Sequence, residues 1–336
     1  MNQNTKQLEG SQKKTVCSLY KLPDWIDVNK LHWYWLSKNP NPNVIPILEQ
    51  NIDKIDWYSL SANPNAISIL ENNIDKIKWN MLSNNPNAIH LLEQNLDKIN
   101  WYRLSSNPNA IHLLEKNLDK IDWYYLSENP NAISILEKNI DKIKWIMLSN
   151  NPNAISILEN NIDKIHWTML SKNPNAVHIL EQNLNKVDWH CLSKNPNAIS
   201  ILEQNFDKIK WCCLSENPNP NSISILENNI DKNNIDKIDW DSLSNNPNAI
   251  SILEQNLDKV DWYWLSSNPN AIHLLEKHPD KIDLNCLSSN PNIFELDYTF
   301  LKERMDILRE ELMMKAWHPS RINKWLDAGM EMEDIY

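Results

Sequence analysis

The sequence predicts an all-α fold, an α-solenoid of about twelve 22-residue units, each a pair of short helices, with helical caps at the two ends. Three observations carry this. The proline of an Asn-Pro step falls at 64, 86, 108, 130, 152, 174, 196 and 218, always 22 residues apart, and resumes at 247, 269 and 291. A tryptophan series runs in phase with it through Trp57, Trp79, Trp101, Trp123, Trp145, Trp167, Trp189, Trp211, Trp240 and Trp262. The unit, W-x-x-L-S-x-N-P-N-A-I-x-I-L-E-x-N-x-D-K-I-x, spaces its apolar residues three and four apart after the proline, a helical rather than a strand period. A β-solenoid of the leucine-rich type shares the period but wants alternating L-x-L strands. The stretch Pro152–Asn161 decides between the two readings.

Each element of the unit has a local cause, shown by the copy that starts at Asp56. Asp56 is placed to N-cap a helix whose first turn is Trp57-Tyr58-Ser59, with Ile55 and Leu60 as a hydrophobic staple. That helix spans less than two turns and is expected to be α or partly 3-10. Asn63 is then expected to cap a second helix with Pro64 at its first position, where the missing N–H costs nothing. The same cap and proline recur as Asn85 and Pro86, Asn107 and Pro108, Asn129 and Pro130, Asn151 and Pro152, Asn173 and Pro174, and Asn195 and Pro196. Ala66, Ile67 and Leu70 form the apolar stripe of the second helix. Asn73 is expected to stop it in the left-handed conformation that glycine usually takes, with Ile74 folding back on Ile69. Neither helix is long enough to stand alone, so the units must stack.

Two places break the count. Asn39-Pro40-Asn41-Pro42 and Asn217-Pro218-Asn219-Pro220 each carry a second Asn-Pro step, and Asn228–Lys232 is repeated as Asn233–Lys237, which together stretch the interval from Pro218 to Pro247 to 29 residues. Both insertions sit at expected turns, where extra residues are tolerated. The chain then organises as a disordered tail at 1–17, an N-terminal cap or partial unit at 18–36, the repeats at 37–292, and a C-terminal helical cap at 293–336. In that last block 297–316 reads as a longer amphipathic helix, His318-Pro319 restarts a helix through Asp327, and Gly329 stops it. A small docking module is the other reading of this block. With about 10 Å per stacked unit, the open solenoid would be an arc or superhelix on the order of 100 Å long.

Composition narrows the chemistry. Of 336 residues 41% are hydrophobic, enough for an ordered core, and the net charge is −11, which disfavours phosphate backbones and anionic membranes as partners. No apolar run approaches the roughly 20 residues that span a bilayer, and the first twenty residues lack the apolar block of a signal peptide, so a cytoplasmic setting is expected. The only glycines are Gly10 and Gly329, so glycine-dependent phosphate loops and nucleophile elbows are excluded from the repeats. Cys17, Cys191, Cys212, Cys213 and Cys286 lack paired spacing and read as reduced thiols.

The repeated residue types invite chemistry that their spacing discourages. The tryptophans form either a ligand platform or a structural ladder filling the space between layers, and repeat spacing favours the ladder. His90, His112, His178 and His273 share a slot that other units fill with serine, a surface column whose members are too far apart to share a metal ion. Glu71 and Lys76 represent constant charges that read as a solvated face. Since every unit repeats the same acids and bases, no single asymmetric catalytic constellation stands out, and no catalytic residue, metal or cofactor is expected. The information lies in the two variable slots after the tryptophan. Tyr102, Arg103, Tyr124 and Tyr125 are neighbours there across two units and form the candidate protein-binding patch, tyrosine and arginine being the types enriched at interface hot spots. Packing at the edge of the tryptophan ladder is the alternative role for these tyrosines.

The pattern L-S-x-N-P-N-A-I-x-I-L-E resembles leucine-rich variant repeats, which place an N-P-N step before a helix and alternate longer and shorter helices in a right-handed superhelix. This chain departs from them in its tryptophan column and in lacking their second Asp-Pro turn. The whole of residues 18–336 looks like the short tandem-repeat proteins of giant DNA viruses. The features that carry this are Tyr20-Lys21-Leu22-Pro23-Asp24-Trp25-Ile26 with Lys30-Leu31-His32-Trp33, the repeat itself, and the ending from Ile293 to Met330. The resemblance implies a viral protein in the host cytoplasm and hands over no catalytic residues. The expected function is a non-enzymatic scaffold for protein–protein interaction, monomeric, with no nucleic-acid or membrane partner. The alternatives are a structural virion or core component, and an adaptor recruiting ubiquitin-type machinery through Leu22-Pro23-Asp24-Trp25.

Overall fold

The computed structural model describes residues 19–229 and 237–331. The expected tail at 1–17, Cys17 and most of the second NNIDK copy lie outside the described residues. The chain divides into two compact bodies, one running Asp24–Ile293 and the other made of the residues before 24 and after 293.

The larger body is built of two-helix units. Each first helix begins at the tryptophan, as in Trp57–Ala62 and Trp123–Glu128, and each second helix follows the Asn-Pro-Asn turn, as in Ile67–Glu71 and Ile155–Glu159. A 3-10 turn such as Ile74–Lys76 then leads to the next unit. The segment Pro152–Asn161 contains helix and no strand, so the α reading holds. The core repeats with the unit: in the second one, Leu60, Ser61, Asn63, Ala66, Ile69, Leu70 and Ile77 are all buried. Asp56 caps its helix as expected, its Oδ1 accepting the Ser59 N–H at 2.7 Å.

The asparagines of the Asn-Pro step do something other than cap. The second helix starts after Ala66, which has no side-chain cap bond, and Asn63 closes the first helix instead. Its Oδ1 accepts the Asn65 N–H at 3.0 Å, so Asn63, Pro64 and Asn65 form a turn ahead of the helix. The same correction applies to Asn85, Asn107, Asn129, Asn151, Asn173 and Asn195, and to Pro86, Pro108, Pro130, Pro152, Pro174 and Pro196, because Ala88, Ala110, Ala132, Ala154, Ala176 and Ala198 hold the position before each second helix. The predicted Pro-first geometry occurs where the Asn-Pro step is doubled: Asn41 caps the 3-10 turn Pro42–Val44, and Pro220 opens the helix Pro220–Asn229. Asn73 is not left-handed either. Its φ is −139°, and its Nδ2 donates back to the Ile69 carbonyl at 2.8 Å.

What the Asn-Pro asparagine gains by leaving the cap is a bond to the neighbouring unit. Asn63 Nδ2 donates to the Ser37 and Asn39 carbonyls of the preceding unit, both at 3.0 Å. Asn39, Asn63, Asn85, Asn107, Asn129, Asn151, Asn173, Asn195, Asn217, Asn246, Asn268 and Asn290 all do the same, each to two carbonyls, at 2.8 to 3.2 Å. The buried serine adds a second tie. Ser61 Oγ donates to the Trp57 carbonyl and accepts the Lys78 N–H that starts the next unit. No buried side-chain polar atom among the described residues lacks a partner.

The ladder closes on itself. Asn39 of the first unit donates to the Ser288 and Asn290 carbonyls of the twelfth, and the Trp33–Lys38 helix packs on Leu284–Ser289 as it does on Trp57–Ala62. The repeats therefore form a ring, and the expected open arc is corrected. The twelfth unit is composite. Its first helix is Leu284–Ser289 and its turn is Asn290-Pro291-Asn292, but its second half comes from the start of the repeats. There Val28–Lys30 forms the 3-10 turn, Leu31 is buried in the slot of Ile77, and the His32 N–H reaches Ser288 Oγ at 2.8 Å. The first and twelfth units are thus paired with each other.

Most first helices pack directly on the next first helix, while successive second helices approach one another less closely. In a closed ring the tighter layer is the inner one. Small serine and asparagine bonded to the neighbour's backbone draw the first helices together, and Ile and Leu hold the second helices apart. Twelve helices at about 8 to 10 Å enclose a wall roughly 100 Å around, or about 30 Å between opposite helix axes.

The smaller body has a two-stranded antiparallel sheet pairing Tyr20–Lys21 with Glu295–Leu296, with Tyr20 opposite Leu296. The helix Tyr298–Ala316 follows, N-capped by Asp297, and buries none of its residues. Tyr298, Met305, Ile307, Leu308, Leu312, Met313 and Met314 are exposed on it. His318 caps the last helix, Pro319–Asp327, and Gly329 ends it at φ +88°, as its position after the helix predicts.

Candidate functional site

The candidate site is the inner wall, because that is where the fixed and variable slots part company. In each first helix the third and fourth residues after the tryptophan, leucine and serine, are buried in the wall. The residue directly after the tryptophan is exposed as Tyr34, Tyr58, Tyr102, Tyr124, Ile146 and Tyr263. The next slot is exposed as Trp35 and Trp264, half-buried as Met81, Arg103, Tyr125, Met147, Met169 and Cys191, and buried as Ser59, Cys213 and Cys286.

The structure brings together three of the four candidate residues. Tyr102 and Tyr125 sit with ring centroids 4.0 Å apart and their hydroxyls hydrogen-bonded, and Tyr124 lies edge-on to Tyr125 at 5.3 Å. Asp122 fixes the helix under them by accepting the Tyr124 and Tyr125 N–H groups. The Tyr102 hydroxyl, then the little burial there is, raises Tyr125 to about 12. Arg103 follows Tyr102 on the same helix, half-buried, with its N–H capped by Asn100 Oδ1 at 3.0 Å. Two more aromatic pairs lie on the wall on either side of the closure, Tyr34 with Trp35 at 5.0 Å and Tyr263 with Trp264 at 5.2 Å. Aromatic side chains thus occupy these slots in the eleventh, first, second, fourth and fifth units, while Met147, Met169, Cys191 and Cys212-Cys213 lie on the arc between the fifth and the tenth.

The tryptophan column has a different setting from the layer-filling ladder expected of it. Trp57, Trp79, Trp101, Trp123, Trp145, Trp167, Trp189, Trp211, Trp240 and Trp262 are all half-buried, and no two tryptophan rings pair among the described residues. The layers are filled by leucine and isoleucine instead. Lysines cover the rings: Lys76 stands 4.8 Å from the Trp57 centroid, Lys98 4.6 Å from Trp79, and Lys142 4.8 Å from Trp123. The cation–π pair recurs on Trp101, Trp145, Trp167, Trp189 and Trp262. Lys76 is therefore not simply a solvated charge. Its fixed 19-residue spacing from the tryptophan was the available signal.

The histidine column is exposed, and each ring bonds the glutamate of the unit before. His90 Nε2 lies 2.7 Å from Glu71, His112 2.7 Å from Glu93, His178 2.7 Å from Glu159, and His273 2.9 Å from Glu254. These pairs bridge successive second helices across the wide side of the ring. Cys191, Cys212, Cys213 and Cys286 are free thiols. Burial, followed by the Cys212 thiol, pushes Cys213 up to about 11. Burial also raises Cys191 and Cys286 above the usual thiol range.

No family model matches the chain, no curated protein matches it, and no solved structure matches it. Among the described residues no helix is long and apolar enough to cross a membrane.

Proposed function

We propose that the protein is a non-enzymatic ring scaffold that binds a protein partner through the inner wall of its repeats. The observation that supports this reading is the placement of the variable slots. The columns that build the ring are nearly constant, whereas the two slots that vary most stand on one continuous face with tyrosine and tryptophan exposed on it. A scaffold has no physical need for large aromatics in solvent, and a partner that buries them gains most of its binding energy from such anchors. The Tyr102, Tyr124 and Tyr125 cluster is the recognition patch in this reading, with Arg103 beside it.

The resemblance to tandem-repeat proteins of giant DNA viruses supports reading the scaffold as a viral protein acting in the host cytoplasm, and a monomer is the oligomeric state this reading favours. The test is affinity capture of the tagged chain from its own cellular context, beside a variant with Tyr102, Arg103, Tyr124 and Tyr125 changed to alanine and shown to fold by circular dichroism. A partner lost only from the variant supports the reading. A partner held equally by both moves the site elsewhere. Recovery in particles at high copy number with no separate partner favours the structural alternative.

A further inference from the structure

The tenth unit departs from the others on the inner wall. The second slot after the tryptophan carries Trp, Met, Arg, Tyr or Cys in ten units and serine in two. Ser59 is buried, so its small side chain leaves no hollow. Ser242 is half-buried and opens into a cavity of about 480 Å³ between the ninth and eleventh units. Because Ser242 lines the cavity, a larger side chain there would reach into it. Trp264, exposed, forms one wall, and Glu216, Pro218, Asp241, Asn245 and the Asn246-Pro247 turn complete the lining with Ser242.

Negative charge gathers on one side of the cavity. Asp241 lines the cavity, and the Asp261 carboxylate is near enough to act on it. Slight burial first, then the charges of Asp261 and Asp239, raise the Asp241 carboxyl above its ordinary value. Asp239 and Asp261 are held in place as helix caps, accepting the Ser242 and Trp264 N–H groups at 3.2 and 3.0 Å. On the far wall Glu216 pairs with Lys194 at 2.6 Å, so its charge is already met and Asp241 is the carboxylate of the lining that a cation would use. A cation entering beside Asp241 would relieve the carboxylate repulsion and lie against an indole face, where cations are attracted to the ring.

We propose that this cavity binds an alkylammonium group, held between the Trp264 ring and the Asp241 carboxylate. The same chemistry is offered by a free polyamine and by a lysine side chain of a basic peptide, and the site is distinct from the tyrosine patch. The test is calorimetric titration of the full chain with spermidine and, separately, with a short peptide bearing two lysines, at physiological ionic strength. The variants are W264A, D241N and S242M, the last restoring the side chain that the third, sixth and seventh units carry. Asp97→Asn on the exposed 3-10 turn of the third unit controls for bulk charge. The expected result is a loss of at least about fivefold in affinity for each of the three variants and little change in the control. The tighter of the two probes identifies the source of the ammonium. Absence of binding by both probes overturns the proposal. So does an equal loss in the control and D241N, or wild-type binding by W264A and S242M.

Discussion

Asn39 Nδ2 donates to the Ser288 carbonyl at 3.0 Å, across 249 residues of sequence, in the same geometry by which Asn63 meets Ser37 in the adjacent unit. That bond belongs to the set of contacts that turns a stack into a ring, with the Asn39–Asn290 and His32–Ser288 bonds beside it. It also changes the meaning of truncation, since the residues before Trp33 complete the twelfth unit. A chain beginning at Trp33 lacks the buried Ile26 and Leu31 and the Val28–Lys30 turn, leaving the Leu284–Ser289 helix without its outer half. Small-angle scattering is expected to show an opened, longer particle with its helix content nearly retained. A truncated chain with the full-length scattering profile would refute the composite unit.

The buried asparagines are predicted to be far more sensitive than their polar surface chemistry suggests. Asn151 donates to the Ser127 and Asn129 carbonyls at 3.1 and 3.0 Å and is fully buried. Asn151→Ala removes both bonds, but the Asn129 carbonyl keeps the Ala132 N–H at 3.1 Å, so the Ser127 carbonyl is the group stranded, at a cost of about 1–3 kcal/mol. Asn151→Asp should cost more at neutral pH, because a carboxylate would face two carbonyls with no donor. Thermal melts should show D below A, with part of the loss recovered at acid pH, where the carboxylic acid regains one donor. Equal melts for both variants would mean that the ladder bonds contribute little.

Much of this fold was legible in the sequence, and the reasons are local. Helix type, the Asp56 cap, the Gly329 stop and the two-helix unit follow from short-range patterns that each copy repeats. The role of Asn63 was not, because an asparagine before proline satisfies the cap rule equally well. Its burial and its bond to Asn39 depend on a neighbour 24 residues away. Closure was harder still. Its trace was present in Lys30-Leu31-His32-Trp33, which matches the K-I-x-W end of a unit, and in a last unit that stops after Asn290-Pro291-Asn292. Two half-units summing to one are visible, but the bend per unit that lets them meet depends on the spacing of the two layers. At the candidate site, the meeting of Tyr102, Tyr124 and Tyr125 followed from the period alone. The cavity beside Ser242 did not, since it depends on what the units on both sides place around a missing side chain.

The thiols should separate in reactivity by their surroundings. Cys212 is exposed, while Cys213 beside it is buried and held near 11, and burial raises Cys286 as well. Since the thiolate is the reactive form, brief alkylation of the native protein at neutral pH should label Cys212 well before Cys213 and Cys286. Peptide mass spectrometry reads this directly. Equal labelling of Cys212 and Cys213 would place both on an open surface and contradict the packing of the Trp211–Leu214 helix.

The tyrosine cluster carries its own pH signature. Tyr125 is raised to about 12, chiefly because the Tyr102 hydroxyl is bonded to it and then through slight burial. The folded state therefore favours the neutral phenol. Whatever this pair contributes to the cluster is present below the unfolded tyrosine value of about 10 and is lost as pH rises from about 10 toward 12. Tyr102→Phe removes the bonded hydroxyl while keeping the ring that stacks at 4.0 Å. In the variant, Tyr125 should titrate close to the ordinary tyrosine value. Carbon-13 labelling of the tyrosine rings resolves the individual titrations, and one phenol should ionise clearly last in the wild type and rejoin the others in the variant. If the latest titration is unchanged by Tyr102→Phe, the hydroxyl contact does not hold in solution. The patch would then present two independent tyrosines rather than one preorganised surface.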